Sequence, residues 1–273
     1  MDFIEILKAI LFGIVEGITE WLPISSTGHM IILDELVKLN VSDAFREMFL
    51  VVIQLGAILA VVVLYFRKLW PFSTKEKFCI KKDTFGMWFK ILAACIPAAI
   101  VGVFFDDKIN ELFYNYQTVA AMLIIFGVLF IVIENYNKGR KPVMNSIAEI
   151  TWKAAIGVGL FQLIAAVFPG TSRSGATILG GILLGMSRTT AAEFTFFLAV
   201  PVMAGASLLK LVKFGLAFSA SEAVILIVGM VVAFVVSIIV IKFLLNYIRR
   251  NDFKAFGWYR IVLGVLVILF FSL

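Results

Sequence analysis

The sequence predicts an all-α polytopic membrane protein: an inverted-topology repeat with six transmembrane helices and two re-entrant helical hairpins. Three observations carry this. Of the 273 residues 62% are hydrophobic and only 15% are charged, too apolar for a soluble domain of this length. Apolar runs of membrane-spanning length recur along the chain. Two of the apolar regions are interrupted by polar clusters, EGITEWLPISSTGH at 16–29 and PGTSRSG at 169–175.

In order, residues 3–22 are apolar with helical period until Pro23 breaks the pattern, and a shorter apolar piece runs about 30–39. Spans follow at about 45–66, 86–105 and 117–133, separated by a basic loop (Arg67, Lys68, Lys75, Lys77, Lys81, Lys82) and an acidic connector at 106–116. After a second basic loop (Lys138, Arg140, Lys141, Lys153) the order starts again. Residues 152–168 are apolar, 169–175 polar and 176–186 short and apolar, and spans lie at about 190–210, 222–245 and 255–272.

This order, broken hairpin and three spans, twice over, defines repeat 1 (about 1–140) and repeat 2 (about 147–273) within one membrane domain, 1–273. At an offset of 146, Gly13 falls on Gly159, Glu16 on Gln162, Pro23 on Pro169, Ser25 on Thr171 and Ser26 on Ser172. Basic loops at 67–84, 135–153 and 247–255 are expected on the cytoplasmic side, and the connectors at 106–116 and 211–221 outside. Six crossings satisfy all five assignments, and three per repeat inverts the second copy. Such repeats place a site at their interface near the midplane. The second limb of each hairpin is short, so the hairpins are read as re-entrant, their irregular tips tolerated only against protein or a wet cavity.

The tips carry the chemistry. Glu16 and Glu20 share one helix face, and carboxylates at membrane depth are costly without a cavity, a cation or an arginine. One can act as general base and the other can hold a divalent metal or brace the base. Ser25, Ser26 and Thr27 precede an apolar helix. Helix capping explains at least one of them, and a helix N-terminus facing a cavity also binds anions. Ser26 or Thr27 is a nucleophile if a base is in reach. His29, the sole histidine, either packs, relays a proton or attacks phosphorus itself. Arg173 needs an anionic partner at such depth, and its planar fork matches phosphate oxygens. With Gly170, Ser172 and Ser174 it forms a candidate phosphate cradle, the alternative being an ion pair with Glu16 or Glu20 that braces the repeats. Arg188 with Glu193, and Arg46 with Glu47, are read as structural pairs.

Other classes fit less well. The net charge of +6 resides in a few loops and records orientation, so no nucleic-acid partner is expected. GxxxxGK[ST], HExxH and CxxC are absent, which leaves no support for ATP-driven chemistry, a zinc site or an organic cofactor. Cys79 and Cys95 are expected to be unpaired, and no cleaved signal peptide is expected.

EGITEWLPISSTGH and PGTSRSG, at this spacing in a chain of this size, resemble the bacterial undecaprenyl-diphosphate phosphatases of the bacitracin-resistance type, over the whole chain. The resemblance implies hydrolysis of undecaprenyl diphosphate to undecaprenyl phosphate and inorganic phosphate, which recycles the lipid carrier for peptidoglycan. It also implies residence in the plasma membrane, a site reached from outside and a possible homodimer. On that reading Glu20, Ser26, His29 and Arg173 are catalytic, with Ser26 the first choice of nucleophile, Glu20 or His29 its base, and water or His29 the alternative attackers. Glu16, Ser25, Thr27, Gly170, Ser172 and Ser174 bind substrate, and Glu16 and Glu20 can hold Mg²⁺ or Ca²⁺. The competing class is a transporter or flippase for a lipid phosphate or small anion, since inverted repeats with broken helices also build transporters.

Overall fold

The computed structural model describes residues 3–72, 81–215 and 218–272; Lys75, Lys77 and Cys79 lie outside them. The elements are α1 (Phe3–Thr19), α2 (Ser26–Leu36), α3 (Asp43–Val52), α4 (Gln54–Leu64), α5 (Phe66–Leu69), α6 (Lys82–Phe113) and α7 (Tyr116–Tyr136). After a single 3-10 turn they continue with α8 (Trp152–Val167), α9 (Arg173–Leu183), α10 (Arg188–Phe214), α11 (Ala220–Ile248) and α12 (Lys254–Ser272). Among the described residues there is no β-strand; Met144 and Met186 form an isolated bridge.

Among the described residues six helical segments are long and apolar enough to cross a membrane: Asp43–Leu64, Lys82–Phe105, Tyr116–Tyr136, Arg188–Phe214, Ala220–Ile248 and Lys254–Ser272. They are the six spans expected. Polar caps set their starts: the side chains of Ser42, Asn115, Ser187 and Ser219 each accept from a backbone N–H of the first turn. Two boundaries differ from expectation. The first span breaks at Ile53 into α3 and α4. The 106–116 connector is mostly helix, because after the internal Pro97, which α6 absorbs, no further proline or cap is met until Tyr114 and Asn115.

Close helix approach rests on small residues, as in membrane proteins generally. A Cβ on Gly13 would lie 2.6 Å from the Gly229 carbonyl, so α1 packs tightly on α11. A Cβ on Gly159 would lie 2.5 Å from the Ala94 carbonyl, so α8 packs in the same way on α6. In α7 and α12, Gly127 faces Gly257 and Ala120 faces Gly264.

The basic loops gather at one end. Lys68 bonds Glu193 at 2.9 Å, and the Val143 and Met144 N–H groups donate to the Gly185 carbonyl. Glu134, fully buried, accepts from Arg188 Nε at 2.9 Å, from Arg188 Nη2 and from the Phe253 N–H at 3.1 Å. This corrects the expected pairings: Arg188 reaches Glu134 and Glu193 takes Lys68, because partners come from neighbouring helices rather than from the same turn. Arg46 turns to Asp43 on its own helix at 3.0 Å and to Asp34 on α2 at 3.6 Å, not to Glu47, whose adjacent position points off a different side of the helix.

Candidate active site

The chain folds its two polar interruptions into matching turns. Thr19 ends α1, Pro23 and Ile24 follow, and Ser25 caps α2, its Oγ accepting from the Gly28 N–H at 3.3 Å. In the second interruption Pro169, Gly170 and Thr171 lead to Ser172, which caps α9 by accepting from the Gly175 N–H at 3.1 Å. Ser25 and Ser172 are the non-glycine residues with positive φ among those described, at 76° and 67°. That match revises the alignment at the tips. Gly170 and Thr171 stand where the first turn has only Ile24, so Ser25 corresponds to Ser172 and Ser26 to Arg173. The offset of 146 that joins the prolines becomes 147 beyond them, and the pairing of Ser26 with Ser172 is overturned.

The two tips meet at Glu20. Its carboxylate is buried and holds one group from each tip. Ser26 Oγ donates to Glu20 Oε2 at 2.6 Å, and Arg173 Nη2 donates to Glu20 Oε1 at 2.6 Å. Arg173 is further seated by the Thr195 carbonyl at 3.2 Å and the Met203 sulfur at 3.2 Å, and its guanidinium carbon lies 6.0 Å from the Trp21 ring centroid. Ser174 Oγ donates to the Glu20 carbonyl at 2.9 Å, locking the second tip to the first. With its proton so committed, Ser174 must accept from Ser172 across their 3.2 Å contact. The N-termini of α2 and α9, both carrying free N–H groups and positive dipole ends, flank this cluster.

The remaining expected residues divide. Glu16 is fully buried and neither carboxylate oxygen has a hydrogen-bond partner; Gln162 on α8, the residue the sequence alignment set against it, is equally buried and unpartnered. Two free, buried carboxylate oxygens one turn from Glu20 suit a hard cation, although no group of three or more His, Cys, Asp or Glu side chains converges among the described residues. Gly170 has φ 89°, and its carbonyl is turned to Arg260. Thr27 stays outside the hydrogen-bond network. His29 is engaged on both sides, Nδ1 with the Ser25 carbonyl at 2.7 Å and Nε2 with the Tyr259 hydroxyl at 2.7 Å. A carbonyl only accepts, so Nδ1 carries a proton, and in the neutral ring Nε2 accepts from Tyr259.

Sequence reasoning missed Tyr259 and Arg260, which stand in the last apolar span. Arg260 is fully buried and donates to the carbonyls of Pro23 (3.2 Å), Gly170 (3.0 Å) and Thr171 (2.7 Å). A charged residue inside an apolar run was the available signal. Thr177 and Thr195 were also missed; their hydroxyls join at 2.9 Å behind Arg173.

Comparison with known proteins places this arrangement. The family described as "Bacitracin resistance protein BacA" matches residues 9–266. The chain is 68% identical over 272 residues to a protein of Desulfitobacterium hafniense named undecaprenyl-diphosphatase, covering 100% of this chain and 98% of that one. It is 67% identical to undecaprenyl-diphosphatase 1 of Clostridium acetobutylicum, covering 99% of each. A protein of Enterococcus faecalis, also named undecaprenyl-diphosphatase, is 60% identical, with 98% of each chain covered. With a match spanning nearly its whole length and both polar tips inside it, this multi-pass chain belongs to the BacA family of bacitracin resistance proteins.

Proposed function

We propose that the chain hydrolyses undecaprenyl diphosphate to undecaprenyl phosphate and inorganic phosphate, recycling the lipid carrier used in peptidoglycan synthesis and so conferring bacitracin resistance. The observation that carries this reading is the three-residue contact Ser26–Glu20–Arg173, with both bonds at 2.6 Å. A hydroxyl donating to a carboxylate is the geometry of a nucleophile with its base. An arginine on the same carboxylate is the group a diphosphate would claim.

The steps follow from these contacts. An incoming diphosphate competes for Arg173, which frees Glu20 to act as base. Ser26 Oγ attacks the terminal phosphorus while its proton passes to Glu20 Oε2. The bond from phosphorus to the bridging oxygen breaks, and undecaprenyl phosphate leaves with the proton from Glu20. Glu20 then deprotonates a water that attacks the phosphoserine, inorganic phosphate departs, and Ser26 recovers its proton. Arg173 and the N–H groups opening α2 and α9 stabilise charge on the phosphoryl oxygens, the main demand of phosphoryl transfer. His29, held between Ser25 and Tyr259, serves this reading as a support for the first turn rather than as attacker. Glu16 and Glu20 would hold a divalent cation such as Mg²⁺ or Ca²⁺, which would neutralise diphosphate charge.

The same proposal includes an inverted repeat of two halves, about 1–140 and 147–273, in one membrane domain, with α1–α2 and α8–α9 as re-entrant hairpins. Its support is the exchange of partners: α1 against α11, α8 against α6, and the reciprocal contacts of α7 and α12. The proposed setting is the bacterial plasma membrane with the site open outward. Val119 and Met122, which touch the second turn and Arg260, lie only three and six residues into α7 from the 106–116 end, about 5 and 9 Å of helix rise.

The test is phosphate release from a polyprenyl diphosphate by purified protein in detergent, with Glu20→Ala and Arg173→Ala alongside. Detergent removes the two compartments, so transport contributes nothing to the signal. Turnover in the wild type that collapses in both variants supports the reading. A folded wild type that releases no phosphate, with and without divalent metal, rejects it in favour of a transporter.

A further inference from the structure

We propose that Tyr259 and Arg260, adjacent on α12, are positioning residues for this reaction, holding two strained turns that aim Ser26 and Arg173 at Glu20; the inference rests on the hydrolase reading above. Ser25 (φ 76°, ψ 98°) and Ser172 (φ 67°, ψ 115°) occupy strained backbone conformations that L residues rarely adopt. Such strain persists only where the surroundings over-determine it. Each strained serine immediately precedes a residue that binds Glu20, Ser26 in one tip and Arg173 in the other.

Arg260 supplies the constraint. It is fully buried, and among the described residues no carboxylate forms an ion pair with it. A guanidinium buried in a membrane protein without a counter-ion is expensive. Its N–H groups go to the carbonyls of Pro23, two residues before Ser25, and of Gly170 and Thr171, just before Ser172. One side chain therefore holds the backbone of both turns. Gly175 leaves room for it, since a Cβ there would stand 3.0 Å from Arg260 Nη1. Tyr259 ties α12 to the first turn by a second route. Its hydroxyl bonds His29 Nε2 at 2.7 Å, the two rings stack at 5.7 Å with 6° between planes, and His29 Nδ1 donates to the carbonyl of Ser25 itself. The α12 dipeptide thus touches no reacting group, yet it reaches both turns that present them.

The experiment measures kcat and KM for phosphate release from a polyprenyl diphosphate, and the melting temperature, for wild type, Arg260→Lys, Arg260→Met and Tyr259→Phe. Tyr259 is 46% exposed, so Tyr259→Phe is expected to melt like wild type while kcat falls up to about tenfold, the value of one lost hydrogen bond. Arg260→Met is expected to lose about 10²-fold in kcat with KM little changed, as expected when reacting groups are misplaced by about 1 Å. Arg260→Lys should recover part of that loss. Wild-type kcat in folded Tyr259→Phe overturns the inference even if the Arg260 variants fail to fold, and so does wild-type kcat in folded Arg260→Met. A wild type without turnover rejects the hydrolase reading and this inference with it, an outcome distinct from active wild type with active variants.

Discussion

Removing one partner of the Arg173–Glu20 pair should cost stability and activity together, and removing both should return part of the stability alone. The side chains are only 13% and 7% exposed and meet at 2.6 Å, so each shields the other from an uncompensated buried charge. Glu20 carries a second bond from Ser26. Glu20→Gln offers a single acceptor oxygen to two donors, and its amide turns N–H toward a guanidinium. Arg173→Met leaves the carboxylate with Ser26 alone. Breaking a buried pair from one side costs about 3–5 kcal/mol, which corresponds to roughly 6–20 °C in melting temperature at the sensitivity of a domain of this size. Glu20→Gln/Arg173→Met removes both charges and should melt well above the sum of the single losses, giving a coupling of at least about 2 kcal/mol. The assay is thermal unfolding of the four proteins in one detergent, with phosphate release measured on each. All three variants should lose about 10²-fold or more in kcat, because the double variant recovers packing but neither base nor phosphate clamp. Single variants that melt within 2 °C of wild type, or a double variant whose loss equals their sum, would refute the assignment of this contact as a buried, mutually compensating pair.

Three further outcomes are expected. Ser26→Ala, at a half-buried position making one side-chain hydrogen bond, should change stability by only about 1 kcal/mol yet abolish both turnover and ³²P trapping from terminally labelled substrate; turnover near wild type would assign the attack to water. Gly170→Ala should destabilise by at least about 1–3 kcal/mol, measured by thermal melting, since φ is 89° and a Cβ would lie 2.5 Å from the Val119 carbonyl. Glu134→Gln should cost about 1–3 kcal/mol in the same assay by weakening its bonds to Arg188 and the Phe253 N–H. Its folded fraction should keep wild-type kcat, because Glu134 lies twelve residues along α7 from Met122, about 18 Å of helix.

The membrane class, the six spans and the two polar tips were legible in the sequence because hydropathy is local: a run of apolar residues states its preference for lipid wherever it packs. Glu20, Ser26 and Arg173 stood out for the same reason, being polar groups that interrupt apolar runs. Which of them touch depended on packing. Arg173 finds its carboxylate 153 residues away, and no spacing rule joins two tips presented by different hairpins. The tip-to-tip alignment was off by one residue because identity at the tips is weak, and only the shared positive φ of Ser25 and Ser172 matches the two turns. Arg188 and Glu193 are five residues apart in sequence, yet each finds its partner on another helix, at Glu134 and Lys68. Arg260 offered a signal, a charge inside an apolar run, but its partners are carbonyls of distant turns, groups that every residue carries and that no sequence pattern distinguishes. Composition and periodicity determined that this chain lives in lipid and buries two polar loops there. The tertiary structure alone decided how those loops face each other, because that geometry arises from packing between helices far apart in sequence.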